Sequence, residues 1–112
     1  MPIQVDFATI FDLLKKGIIG LAESTVKKFV NEAKSDGLKI LMDMKDKLER
    51  WTKMLAAGEL TTQDFEFLVN SQKDLIEMNG LKEAGLALIR VDQFKSSVMN
   101  LIVDSIFNII KI

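Results

Sequence analysis

The sequence predicts an all-α fold: an elongated helical bundle of three to four helices, forming a single domain over residues 1–112, with a central turn at residues 58–61 and a second break at 79–80. Three observations carry this. Punctuation is sparse, with one proline, Pro2, and six glycines in 112 residues, which favours few long helices over many short strands. Apolar residues recur at intervals of three and four through the first half of the chain, the mark of one helix face. A well-signalled helix stop and start, Gly58-Glu59-Leu60-Thr61-Thr62, sits near the middle.

The first arm carries the stripe Phe7, Phe11, Leu14, Ile18, Ala22, Val26, Phe29, Ala33, then Ile40, Met44, Leu48, Trp51 and Leu55. With Gly37 counted as a stripe position, 48 residues are covered in 13 steps. That spacing is close to the helical period, so the face drifts slowly around the axis. Acid-before-base pairs four residues apart recur off the stripe: Asp12 with Lys16, Glu23 with Lys27, Asp43 with Lys47, Asp46 with Arg50, and Glu49 with Lys53. They read as a solvated face, each pair worth about 0.2–0.5 kcal/mol. Asp36-Gly37 has two readings. It resembles a helix stop, yet the stripe crosses it in phase, and an interior glycine costs a helix only about 1 kcal/mol. A stop gains support from an echo 43 residues on, where Asn79-Gly80-Leu81-Lys82 repeats the pattern of Asp36-Gly37-Leu38-Lys39.

At the central turn, Gly58 is placed to take positive φ after the first arm. Thr61 is the expected N-cap of the next helix, with Asp64 completing a variant capping box. That helix is expected from Thr62 to Met78, with Phe65, Leu68, Val69, Leu75 and Ile76 inward. Beyond Asn79-Gly80 the apolar positions Leu81, Ala84, Leu88, Val91, Val98, Ile102 and Ile109 lie about a quarter turn from the face before it, so the helix is expected to break there.

The final segment, Val98 to Ile112, is apolar around most of its circumference. Its main polar residues, Asn100, Asp104, Asn108 and Lys111, fall within a narrow strip, with Ser105 outside it. Such a helix is buried on several sides. It is either the central helix of the chain's own bundle or one completed by another subunit, a partner or a lipid surface. Val98, Leu101, Ile102, Ile106, Phe107, Ile109 and Ile110 are therefore the candidate interface residues.

Composition narrows function by exclusion. Net charge is −1, unlike the basic footprint of a nucleic-acid binder. With neither histidine nor cysteine, the commonest general base, the thiol nucleophile and the usual zinc ligands are missing. No calcium-loop pattern occurs, and no catalytic, cofactor-binding or metal-binding residue is assigned. The run Lys16-Gly17-Ile18-Ile19-Gly20 has the spacing of a phosphate-cradling G-x-x-G loop, but such loops sit in mixed α/β folds, and close helix packing explains the glycines better. Trp51, on the stripe, reads as a core anchor. No apolar span reaches the ~18–20 residues of a transmembrane helix. No basic n-region precedes the apolar stretch after Phe7, so a cytoplasmic location is expected. The leading expectation is a non-enzymatic structural or partner-binding protein that self-associates through apolar helix surface. The alternative is reversible binding to a membrane surface through the amphipathic residues 3–30, with Phe7, Phe11, Ile18, Ile19 and Phe29 opposite Lys15, Lys16, Lys27 and Lys28.

Overall fold

The computed structural model describes residues 6–110. Among them are five α-helices and no strand: α1 (Phe7–Thr25), α2 (Val30–Ala56), α3 (Thr62–Ser71), the short α4 (Asn79–Glu83) and α5 (Leu88–Ile110), with 3-10 turns at Lys27–Phe29 and Lys73–Leu75. The molecule measures 49 × 23 × 19 Å, so the elongated all-α bundle predicted from the sequence is what forms. The helix count is higher than the expected three to four because one rod of the bundle is assembled from α3, a 3-10 turn and α4. Around the core the order is α1, α2, the α3–α4 rod and α5, with α5 closing against α1.

The first arm is not one long helix and does not break at Gly37. It folds back on itself at Val26–Phe29. Ser24 and Thr25 both donate their hydroxyls to the Leu21 carbonyl, at 3.2 and 2.6 Å, a local alternative to continuing the helix. Val26 then leaves helical geometry at φ −129°, ψ 60°. The stripe survives the reversal because both helices must turn it toward the same core, and spacing carries no information about chain direction. All its members are buried except half-buried Phe29.

Gly37 lies inside α2 as a point of close approach. A Cβ there would meet Ile18 Cγ2 at 2.6 Å and the Phe94 ring at 3.8 Å. The helices pack antiparallel, with Lys34 of α2 reaching Glu23 of α1 at 3.3 Å. Of the five expected i, i+4 pairs, only Glu49–Lys53 closes among the described residues, at 3.2 Å.

The central turn forms as its sequence predicts. Gly58 has φ +78°. The Glu59 N–H donates to the Met54 carbonyl and the Gly58 N–H to the Leu55 carbonyl, the paired bonds of a Schellman motif. Thr61 caps α3, and both halves of the capping box with Asp64 are present.

The helix expected over 62–78 stops at Ser71, whose hydroxyl donates to the Leu68 carbonyl at 2.6 Å. After the 3-10 turn, Ile76 is extended, and Asn79-Gly80 starts a helix instead of ending one. The cause is tertiary. Buried Asp36 of α2 accepts hydrogen bonds from the Gly80 N–H (3.1 Å) and the Leu81 N–H (2.8 Å). Its carboxylate caps α4 from another helix, and the backbone leaves the helical path to bring Gly80 there. A Cβ on Gly80 would sit 2.8 Å from Asp36 Oδ1. The two segments that echo each other in sequence thus meet at this point. α4 ends as α2 does: Gly85 has φ +96°, the Leu86 N–H donates to the Leu81 carbonyl, and the Gly85 N–H to the Lys82 carbonyl.

α5 is deeply embedded in the bundle. Val98, Met99, Ile102 and Ile106 are fully enclosed, each such side chain contributing about 1.5–3 kcal/mol. It packs antiparallel to α1, with the Leu101 side chain 3.1 Å from where a Gly17 Cβ would stand. It meets α3 where the Phe65 and Phe107 rings lie 5.7 Å apart.

Candidate interaction surface

Of the seven interface residues expected from the sequence, Val98, Ile102, Ile106 and Ile110 are buried in the chain's own core, which leaves them no free surface in this fold. Leu101 and Phe107 are half-buried and pack on that core, and Ile109 is 38% exposed. The narrow polar strip of Asn100, Asp104 and Asn108 is the solvent edge of α5. Residues 98–110 therefore turn most of their apolar surface into the chain's own bundle. Lys111 and Ile112 lie outside the described residues.

The apolar face of residues 7–29 has the same fate. Phe7, Phe11 and Ile18 are buried, Ile19 and Phe29 half-buried. Lys15 and Lys45 lay their ammonium groups over the Phe11 ring, at 4.9 and 5.3 Å from its centroid. The face expected to meet lipid is instead the seam between α1 and α2; residues 3–5 of that stretch lie outside the described residues. Trp51 is buried, as expected of a core anchor.

The surplus apolar surface is elsewhere. Phe67 (73% exposed) and Leu75 (74%) project from the α3 rod, and Leu88 (71%) and Ile89 (70%) from the first turn of α5. The sequence reading placed Leu75 inward and Leu88 on the apolar face after Gly80, which their exposure corrects, and did not single out Phe67 or Ile89. The Phe67 signal was present: two residues after Phe65, it falls about 200° around the helix, opposite the Phe65–Val69 face. The exposure of Leu88 and Ile89 follows from Gly85, which closes α4 and leaves Ala84 to Arg90 as an exposed segment anchored by buried Leu86.

This segment shares one end of the bundle with the α1–α2 corner. The Arg90 guanidinium donates to the Thr25 carbonyl at 3.2 Å, and Arg90 lines one cleft with Lys27, Lys28 and Phe29. Residues 24–31 and 84–91, which build the tip, hold these three cations and no acid. Nearby, Glu23 is paired with Lys34, Glu83 follows Lys82, and Glu32 lies in the first turn of α2.

The flank is the reverse. Residues 59–77 carry Glu59, Asp64, Glu66, Asp74 and Glu77 against Lys73 alone, and Lys73 lies 3.8 Å from Asp92. A groove of about 390 Å³ separates the flank from α2, lined by Lys39, Asp43, Lys47, Gln72, Leu75 and Glu77 among others. Lys47 donates to Gln72 across it at 2.9 Å. Its charges are mixed and no nucleophile–base pair converges there.

Among the described residues no three acidic side chains gather as a metal site, and no helix is long and apolar enough to cross a membrane. One buried side-chain oxygen, Thr52 Oγ1, lacks a partner. Asp6, the N-cap of α1, is held below the usual carboxylate range, first by the Thr9 hydroxyl at 2.8 Å and then by the Thr9 N–H. Comparison with protein-family models, curated proteins and solved structures returned no match.

Proposed function

We propose that this chain is a non-catalytic helical protein that works by binding, and that it self-associates through apolar side chains outside its core. One observation carries the reading. The core is complete without Phe67, Leu75, Leu88 and Ile89, yet each of these is at least 70% exposed. Isolated surface leucines are ordinary. Large apolar side chains that recur at two places on the surface, one beside three cations and the other beside a surplus of acids, fit a docking surface better. A cytoplasmic location belongs to the same proposal and is in keeping with a sequence free of cysteine.

Sedimentation equilibrium over a range of protein concentrations tests it. An average mass that rises with concentration is expected. A mass fixed at 12.6 kDa, together with no binding of an apolar-surface dye, would sink the proposal. A second reading, reversible attachment to an anionic membrane, draws on the acid-free tip around Leu88 and Ile89. Flotation with phosphatidylserine vesicles tests that, and protein left at the bottom of the gradient removes it.

A further inference from the structure

We propose that the chain associates head to tail, with the basic tip of one copy seated on the acidic flank of the next. This rests on the reading that the chain self-associates, and adds which surfaces meet.

The two surfaces complement each other in charge and in kind. The tip presents Leu88 and Ile89 with Lys27, Lys28 and Arg90 and no acid in its two segments. The flank presents Phe67 and Leu75 on a segment with five acids; its own lysine is engaged by Asp92, and of the two α2 lysines across the groove from Leu75, Lys47 is engaged by Gln72 and Asp43 sits beside Lys39, so the surface keeps an acidic surplus. Neither surface suits itself: tip against tip would bring six cations together, and flank against flank would bring together two acidic faces. Like charges facing each other in a contact are strongly unfavourable, whereas opposite fields guide encounter and fix orientation. The complementary surface for each patch is the other one, on a second copy. The geometry permits this without refolding, because the tip is an end of the long axis and the flank lies along its side, so one molecule can offer both at once. A contact between two different patches of the same chain leaves one of each free at the ends, and it closes into a ring or extends as a filament.

Two variants, each defective on one side, decide the matter. L88D/I89D spoils the tip and F67D/L75D spoils the flank. All four residues are exposed, and far-ultraviolet circular dichroism with Trp51 emission verifies the fold. Each variant alone is expected to lose self-association. Mixed in equal amounts, they are expected to form a one-to-one dimer that grows no further, because the good flank of the first accepts the good tip of the second. As a gentler pair, K27E/K28E and E66K/D74K are expected to weaken association separately, and added salt should weaken it in the wild type.

Variants that stay monomeric when mixed would overturn the head-to-tail arrangement while leaving self-association standing. Variants that associate as the wild type does would overturn the assignment of both patches. A wild type that is monomeric at every concentration, yet floats with phosphatidylserine vesicles in a way that L88D/I89D abolishes, would overturn self-association as well and give the tip to a lipid surface.

Discussion

The α1–α2 hairpin and the α3–α4 rod face the same core, but they are held against it by different means. The hairpin is a continuous seam. Its stripe is buried from Phe7 to Leu55 with half-buried Phe29 as the one gap, and Gly37 lets the two backbones approach where a Cβ would collide with Ile18. The rod buries Phe65, Val69, Met78 and Leu81 but nothing from 70 to 77, and it is held by separate contacts: Phe65 against Phe107, the Asp36 carboxylate on Gly80 and Leu81, Lys47 on Gln72, and Lys95 Nζ on the Ile76 carbonyl at 3.0 Å. Between these contacts it is free to change helix type, and it does so twice. Continuity in a bundle rod therefore depends on whether apolar contacts recur at every turn, more than on whether glycine is present. Gly37 lies inside a 27-residue helix, whereas the rod breaks after Ser71, with no glycine until Gly80.

Breaking the rod's contacts should be the most damaging change. Phe65→Ala is expected to cost about 3–5 kcal/mol, the range for a buried phenylalanine, and urea denaturation followed by circular dichroism would measure it. A loss below about 1 kcal/mol would mean that the rod does not depend on this contact. Asp36→Ala leaves two amide donors of α4 without their acceptor. A loss of about 2–3 kcal/mol is expected, with hydrogen exchange accelerating at Gly80 and Leu81 but not in α1. If α1 amides accelerate equally, hairpin and rod are one cooperative unit and the contrast between them fails.

Two glycine substitutions sharpen the seam itself. Gly37→Ala forces a shift against a β-branched side chain, and overpacking of this kind costs about 1–3 kcal/mol. The helix propensity gained offsets about 1 kcal/mol of that, so a modest net destabilisation is expected. Gly20→Ala meets nothing within 4 Å and should stabilise by about 0.5–1 kcal/mol. Thermal melts of both variants would check the opposite signs.

The smallest effect concerns the hairpin's beginning. Since the folded state depresses the Asp6 carboxyl, its contribution is fully present above the ordinary aspartate pKa of about 4 and is lost as pH falls through the lower folded value. Asp6→Ala should therefore lower the urea midpoint slightly at neutral pH, with the difference shrinking as the pH falls below the ordinary aspartate range. A difference that persists in acid would locate the effect outside the carboxylate.

Much of the fold was legible because its signals are local. Gly58, Thr61 and Asp64 act within one turn of each other, and the stripe needs only a helical period. What was not legible depended on distant partners. The chain reversal at Val26 is written in Ser24 and Thr25, which end a helix only when nothing else engages the backbone. Asp36-Gly37 and Asn79-Gly80 looked like two stops, but one is a close approach and the other a helix start, and both roles are defined by residues across the bundle. Four of the seven candidate interface residues, Val98, Ile102, Ile106 and Ile110, are buried within the chain for a related reason. The hydrophobicity of residues 98–110 was read correctly, but three neighbouring rods cover it, and the number of neighbours a helix will have is not encoded in its own sequence.

The capping of α4 by Asp36 also bears on the order in which the chain folds. Five residues are too few to hold a helix in water, and the acceptor for α4's leading amides lies 44 and 45 residues away along the chain. α4 can therefore take shape only after α2 exists and the central turn has returned the chain to its side. Loop closure over such a span precedes any reward from the contact. Substitutions at Asp36 are then expected to leave the folding rate nearly untouched and to speed unfolding, with a φ-value near zero. The carboxylate is then expected to work as a latch on α4, engaging late and releasing early, which folding and unfolding rates of Asp36→Ala would check.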